Sequence, residues 1–337
     1  MAPEIPFGWT LCASSFNWAP DIISARRTAR DIVTGIAASV AQTVELEPGL
    51  VWRSFPAPQD AEVDQLRHGL AAVRGRISIV GASLDDFTSP VERRPLQERL
   101  DFLVPQLRAA HRVGASGVRL PIGQAGTELL MLLQPLLHEL DLVLYEEIQG
   151  QQAPGNPAVA PALDAIARLA DERVRVLVDI SMLMPALPVT YLEEMRKGGL
   201  SPDLMARLEN DWRDPATHNA ITAVLRSGNV PPRIHTLFMN LLIRFGRSGT
   251  ADLQDILPLV GAFHLKFWDL DDDGGRVSRP LRDLGGLLGR SGFTGTLTSE
   301  WGGHEWLQKD PTEMTRRHLT LAEATLAQSA LAATASS

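Results

Sequence analysis

The feature that most constrains this chain is a regular alternation between two patterns. Short apolar, β-type runs give way to longer stretches whose apolar residues recur every three or four positions. Eight runs read as strands: Phe7 to Ala13, Gln42 to Leu46, Arg76 to Gly81, Gly117 to Pro121, Leu142 to Glu147, Val174 to Asp179, Ala262 to Phe267 and Gly295 to Glu300. Between them lie helical patterns such as Leu96, Leu100, Leu103, Leu107 and Ala110, or Leu163, Ile166, Ala167 and Leu169. Consecutive parallel strands need a helical crossover, so this order implies repeated βα units rather than separate all-α and all-β domains. Eight units close into an α/β fold, a (β/α)8 TIM barrel, expected as a single domain over residues 1–330. The surplus chain sits between the sixth and seventh strands, where residues 189–258 carry short helical patterns broken at Gly198, Pro202, Pro215, Pro231 and Pro232. A helical insertion over one end of the barrel is expected there. Residues 331–337, mostly small, are expected to form a flexible tail.

With 45% hydrophobic side chains among 337 residues, the chain can bury such a core. Lys plus Arg number 32 against 40 Asp plus Glu, giving a net charge of −8. That is a poor surface for phosphodiesters, so no nucleic-acid partner is expected, and a small molecule is the natural substrate. Cys12 is the single cysteine, which excludes an internal disulfide and a thiolate metal cluster. A secretory leader pattern and an apolar run of about 18 residues are both missing from the sequence, so we expect a cytoplasmic protein with no membrane partner.

Barrel enzymes gather their chemistry at the C-terminal ends of the strands. The fifth strand ends at Glu146 and Glu147, the sixth at Asp179 and the eighth at Glu300, while the seventh carries His264 and Lys266. One such carboxylate could equally be a helix cap or half of an ion pair. Ligand-type residues on four successive strands favour a bound divalent cation, because a carboxylate after an apolar run is costly to bury unpaired. Carboxylates with one imidazole make a hard, mainly oxygen site that suits Mn²⁺ first, with Mg²⁺ or Co²⁺ as alternatives. Strand alternation puts Lys266 on the same side as His264, where it can stabilise developing negative charge. Trp9, Trp268 and Trp301 fall near strand ends and suit stacking on a ring-shaped substrate. Glu45, in VELEPG, is read either as a contact to a substrate hydroxyl or as an ion pair. The DLDDDGG run from Asp269 lacks the terminal Glu of a calcium loop and reads as a solvated acidic loop.

The order Glu, Asp, His, Glu on strands five to eight resembles the xylose isomerase-like barrels, the sugar isomerase and epimerase superfamily. More narrowly, HLKFWDLDDDGG from His264 to Gly275, GFTGTLTSEWGGHEW from Gly292 to Trp306 and the RISIVGASLDD stretch ending at Asp86 are similar to C-glycoside deglycosidase alpha subunits. The resemblance implies one divalent metal ion on Glu147, Asp179, His264 and Glu300. Glu147 is preferred to Glu146 because EIQ, Glu147 to Gln149, aligns with an E-x-H pattern. It also implies that Glu147 and Glu300 move a proton at the carbon beside a carbonyl, through an enolate, on a keto-sugar or 3-oxo-glycoside. Whether the reaction ends as isomerisation or as β-elimination of an aglycone stays open. The chain departs from the pattern twice. Gln149 replaces the histidine that serves as candidate base and cannot take a proton near neutrality, leaving it a substrate contact. Met182 replaces a substrate-contacting histidine of the epimerases. His304, in SEWGGHEW, becomes the replacement base candidate. A competing reading follows from the two losses: a catalytically weak barrel subunit that acts as a binding partner. The endonuclease branch of the superfamily needs more histidines and a basic surface, and does not fit. By resemblance the chain is expected in a homo-oligomer, or in a heteromer with a small beta subunit.

Overall fold

The computed structural model describes residues 7–335. Eight parallel strands close into a barrel in sequence order: β1 (Trp9–Ser14), β2 (Thr43–Leu46), β3 (Arg76–Gly81), β4 (Gly117–Pro121), β5 (Val143–Ile148), β6 (Val174–Asp179), β7 (Val260–Phe267) and β8 (Gly295–Trp301). β8 returns to pair with β1, Trp9 opposite Gly295 and Ala13 opposite Ser299, so the barrel has no exposed edge. Each strand is followed by at least one helix, the longest being Leu96–Val113 and Pro311–Ala335. The last of these continues through the first five residues of the expected tail, and residues 336–337 lie outside the described ones.

Side-chain alternation sorts each strand into two faces. On the outer face Val44, Val80, Val118, Leu144, Val178 and Leu265 pack under the helices in one continuous apolar cluster. On the inner face Ile79, Tyr145, Leu177 and Ala262 form a plug within the barrel. The next inward positions toward the C-terminal ends, two residues further along β5, β6 and β7, are Glu147, Asp179 and His264, all buried. Period-two geometry therefore separates the two neighbouring glutamates of β5. Glu147 faces inward. Glu146 faces outward, is fully buried, and accepts a hydrogen bond from the Gly123 amide at 3.0 Å, while burial pushes its carboxyl up to about 7.

The helical insertion expected between the sixth and seventh strands is present. It includes the helices Val189–Lys197, Pro202–Asn210 and Pro215–Ser227. Its apolar side chains, Tyr191, Met195, Leu208, Trp212, Phe238 and Phe245 among them, form a cluster of their own with Trp268. The returning chain lies on the loops after β5 and β6: the Gly246 amide donates to the Ser181 carbonyl at 2.8 Å and the Ser248 amide to that of Met182 at 2.9 Å. A Cβ on Gly246 would fall 2.2 Å from the Gly150 carbonyl oxygen and 2.3 Å from the Met182 Cα, so only glycine permits this approach. The DLDDDGG run is more than a solvated loop. Asp269 is buried and accepts hydrogen bonds from the Thr190 amide and hydroxyl, pinning the start of the insertion, and Asp272 accepts from the Val277 and Ser278 amides. Among the described residues no helix is long and apolar enough to cross a membrane.

Gly246→Ala should therefore cost about 1–3 kcal/mol by overpacking. Thermal unfolding checks this, with Gly249→Ala, which meets nothing within 4 Å, as the control expected to be near neutral.

Candidate metal centre

His264, fully buried on β7, lies at the centre of the inward polar layer. Its Nε2 is 2.8 Å from Glu45 Oε1 on β2, which orients the ring. Its Nδ1 points at carboxylates from three other strands: Glu300 Oε2 at 2.8 Å, Glu147 Oε1 at 3.0 Å and Asp179 Oδ2 at 3.9 Å. His264 Nδ1, Asp179 Oδ2 and Glu300 Oε2 are all buried without a hydrogen-bond partner. Asp179 spends its other oxygen on the Ser181 amide at 2.7 Å. Donor atoms of Glu147, Asp179 and His264 lie within 4.8 Å of one another.

Two cations flank the cluster. Arg119 on β4 reaches Glu45 Oε1 at 2.7 Å, Glu47 Oε2 at 2.7 Å and Glu147 Oε2 at 3.0 Å, so one guanidinium fork serves three carboxylates. Lys266 on β7 meets Glu300 Oε1 at 2.5 Å and lies 5.0 Å from the centre of the Phe16 ring. Burial pushes all the carboxylates up, and the local charges decide where each ends. Arg119 and His264 outweigh burial at Glu147, and Lys266 and His264 do so at Glu300, holding the first below and the second well below the usual carboxylate range. At Asp179 burial wins and the carboxyl rises to about 6. His264 is held well above its ordinary value: burial opposes this, but Glu45, Glu300 and Glu147 prevail.

This donor set fits a divalent cation. Three carboxylates and one imidazole converge with unpartnered lone pairs, and an Nε2–H donated to Glu45 fixes the tautomer that leaves Nδ1 free to coordinate. The residues that would hold it are Glu147, Asp179, His264 and Glu300.

The other residues singled out in the sequence lie in different places. Glu45 has no spare oxygen: besides His264 and Arg119 it accepts from Thr298 Oγ1 at 2.9 Å, and it supports the imidazole from beneath. Trp9 is a correction, because it is the first residue of β1, at the N-terminal end and away from the mouth, and its Nε1 donates to the Phe293 carbonyl. Trp301 is buried at the end of β8, donating to the Trp268 carbonyl at 2.7 Å, and Trp268 packs on Phe245 with ring centres 4.7 Å apart. Gln149 follows β5 directly and is half-buried. His304 packs against Phe16 and Trp301, with its Nε2 buried and unpartnered. Arg119 and Glu47 escaped the sequence reading. The only signal was an Arg between Val118 and Leu120 in a short strand, a cation that must meet anions if it faces inward.

No protein-family model matches the chain. It is 27% identical over 286 residues to a C-glycoside deglycosidase alpha subunit of Arthrobacter globiformis, covering 82% of this chain and 81% of that one. It is 25% identical over 280 residues to a 3'-dehydrocarminate deglycosidase alpha subunit of a Microbacterium species, covering 78% and 79%. Among solved structures, a sugar phosphate isomerase/epimerase of Parabacteroides distasonis superposes with a TM-score of 0.57 at 8% identity, over 97% of this chain and 98% of that one. At that identity the likeness is one of fold.

Two outcomes follow for this barrel. Glu45→Gln should weaken divalent-metal binding about 10–100-fold through loss of the imidazole's support, read by calorimetric titration with Mn²⁺. Arg119→Met leaves three carboxylates without their cation and should cost about 3–5 kcal/mol in denaturant unfolding.

Proposed function

We propose that the chain is a divalent-metal-dependent enzyme that acts through an enolate on an oxidised sugar, and specifically that it expels an aglycone from a 3-oxo-glycoside by β-elimination. At the coarser level, its relatives are deglycosidases and its structural neighbours sugar isomerases and epimerases, so the chain is an enzyme acting on sugars. The observation that carries the finer reading is the convergence of His264 Nδ1, Asp179 Oδ2 and Glu300 Oε2, buried and unpartnered, at the C-terminal end of the barrel.

A divalent cation, Mn²⁺ by preference, would polarise a substrate carbonyl and its neighbouring hydroxyl and so acidify the C–H between them. Glu147, held by Arg119, and Glu300, held by Lys266, are the carboxylates that would take the carbon-bound proton. Lys266 balances the negative charge that builds on the substrate oxygen. Gln149 sits one residue beyond β5 and contributes a hydrogen-bonding contact rather than a base. His304 is kept as a further proton acceptor at the rim. The names of the relatives support work as the alpha subunit of a heteromer; a smaller beta subunit and a cytoplasmic setting belong to the same proposal. The reading as a catalytically weak binding subunit is not favoured, because Glu147, Asp179 and Glu300 converge on His264.

The test is turnover of a 3-oxo-glucoside by the purified chain, together with any partner that co-purifies, before and after chelation. Release of the aglycone should stop on chelation, return with Mn²⁺, and fall by about 10³-fold or more in folded Glu300→Gln. Turnover indifferent to chelation, or none on 3-oxo-glycosides and keto-sugars alike, would overturn the proposal.

A further inference from the structure

The mouth of the barrel holds one carboxylate that the metal centre leaves unused. Glu47, just beyond β2, shares the Arg119 guanidinium with Glu147, each on its own terminal nitrogen, so the two carboxyl groups are neighbours across a single planar fork. They differ in access. The Glu147 side chain is 5% exposed, whereas that of Glu47 is 30% exposed. Arg119 takes only Oε2 of Glu47, and among the described residues none hydrogen-bonds Oε1. The space around Oε1 is kept by the end of β3: a Cβ on Gly81 would sit 3.1 Å from it. The Glu47 backbone is fixed as well, its amide donating to Ser15 Oγ at 2.8 Å. Of the neighbouring carboxylates, Glu45 is committed to three partners and Glu300 to Lys266.

We propose that Glu47 is a further catalytic residue of this site, the proton donor to the departing aglycone. This rests on the elimination reading above. When the bond between sugar and aglycone breaks, its electron pair leaves with the aglycone, and the enolate's pair closes the new C=C bond as the carbonyl re-forms. The aglycone takes the proton from Oε1 of Glu47, whose carboxylate is received by Arg119. Solvent then returns a proton to the part-exposed group. The proton removed from carbon by Glu147 or Glu300 and the one delivered by Glu47 are distinct: the base acts at one carbon of the new C=C bond and the acid on the group leaving the other. Burial pushes the Glu47 carboxyl up against the opposing pull of Arg119, the direction that favours a donor.

A donor of this kind has a signature that a structural residue lacks: it matters only when the leaving group needs a proton. The probes are 4-nitrophenyl and phenyl 3-oxo-β-glucosides, turned over by the Mn²⁺-loaded protein with its co-purifying partner. Glu47→Gln should lose about 100-fold or more on the phenyl substrate but less than about tenfold on the 4-nitrophenyl one, whose anion departs unaided. Its Mn²⁺ affinity should stay near that of the unaltered protein, and formate should restore part of the phenyl activity to Glu47→Ala. Equal losses on both substrates, or none on the phenyl substrate, would overturn the role of Glu47 alone. Failure of the unaltered protein to release either phenol would remove the elimination reading and this inference with it.

Discussion

Five carboxylates, those of Glu45, Glu47, Glu147, Asp179 and Glu300, crowd the C-terminal end of one barrel, and four of them are buried. Anions so placed repel one another and have lost most of their water, so they persist only where positive charge is built in beside them. Arg119 and Lys266 supply two units. The surrounding carboxylates likewise hold the His264 imidazole well above its ordinary value. The convergence of these anions and the unpartnered atoms of His264, Asp179 and Glu300 are what the proposed divalent cation would account for.

The rest of the fold serves to hold that cluster still. Tyr145 and its neighbours fill the barrel interior, so the ligands stand on a packed floor rather than in a pore. The outer strand faces are tied down by the helical ring. Glu45 and Thr298 fix the imidazole from beneath. On the β5 and β6 side the insertion is locked over the loops by the contact of Gly246 with Gly150 and Met182, which keeps the backbone around Asp179 and Ser181 in place. Rigid strands thus carry the ligands, and the substrate-facing variation is left to the loops.

Much of this was legible in the sequence because it depends on short-range regularity. Parallel strands buried on both faces announce themselves as apolar runs, and the eight expected runs coincide closely with the strands found. Ligand residues stood out because an acid or a histidine at the end of an apolar run is conspicuous. The choice between Glu146 and Glu147 needed the resemblance at first, although strand alternation alone decides it once the inward register of Tyr145 is known. What stayed hidden was whatever depends on partners distant in the chain. Arg119 looks like an ordinary strand residue until β2 and β5 bring it three carboxylates, and Glu47 gains meaning only beside that arginine. Trp9 was misplaced because a tryptophan near a strand does not say which end of the barrel it occupies. Asp269 looked solvated because its partner, Thr190, lies 79 residues away.

The central claim is that the cluster is a metal centre built on the free Nδ1 of His264. It is tested most directly by elemental analysis of the purified protein and of its His264→Ala variant, each also dialysed against Mn²⁺. The account predicts about one equivalent of Mn²⁺, or of Mg²⁺ or Co²⁺ in its place, in the unaltered protein, and loss of that metal in a variant that remains folded. Folded, unaltered protein that holds no divalent metal even after reconstitution would contradict it.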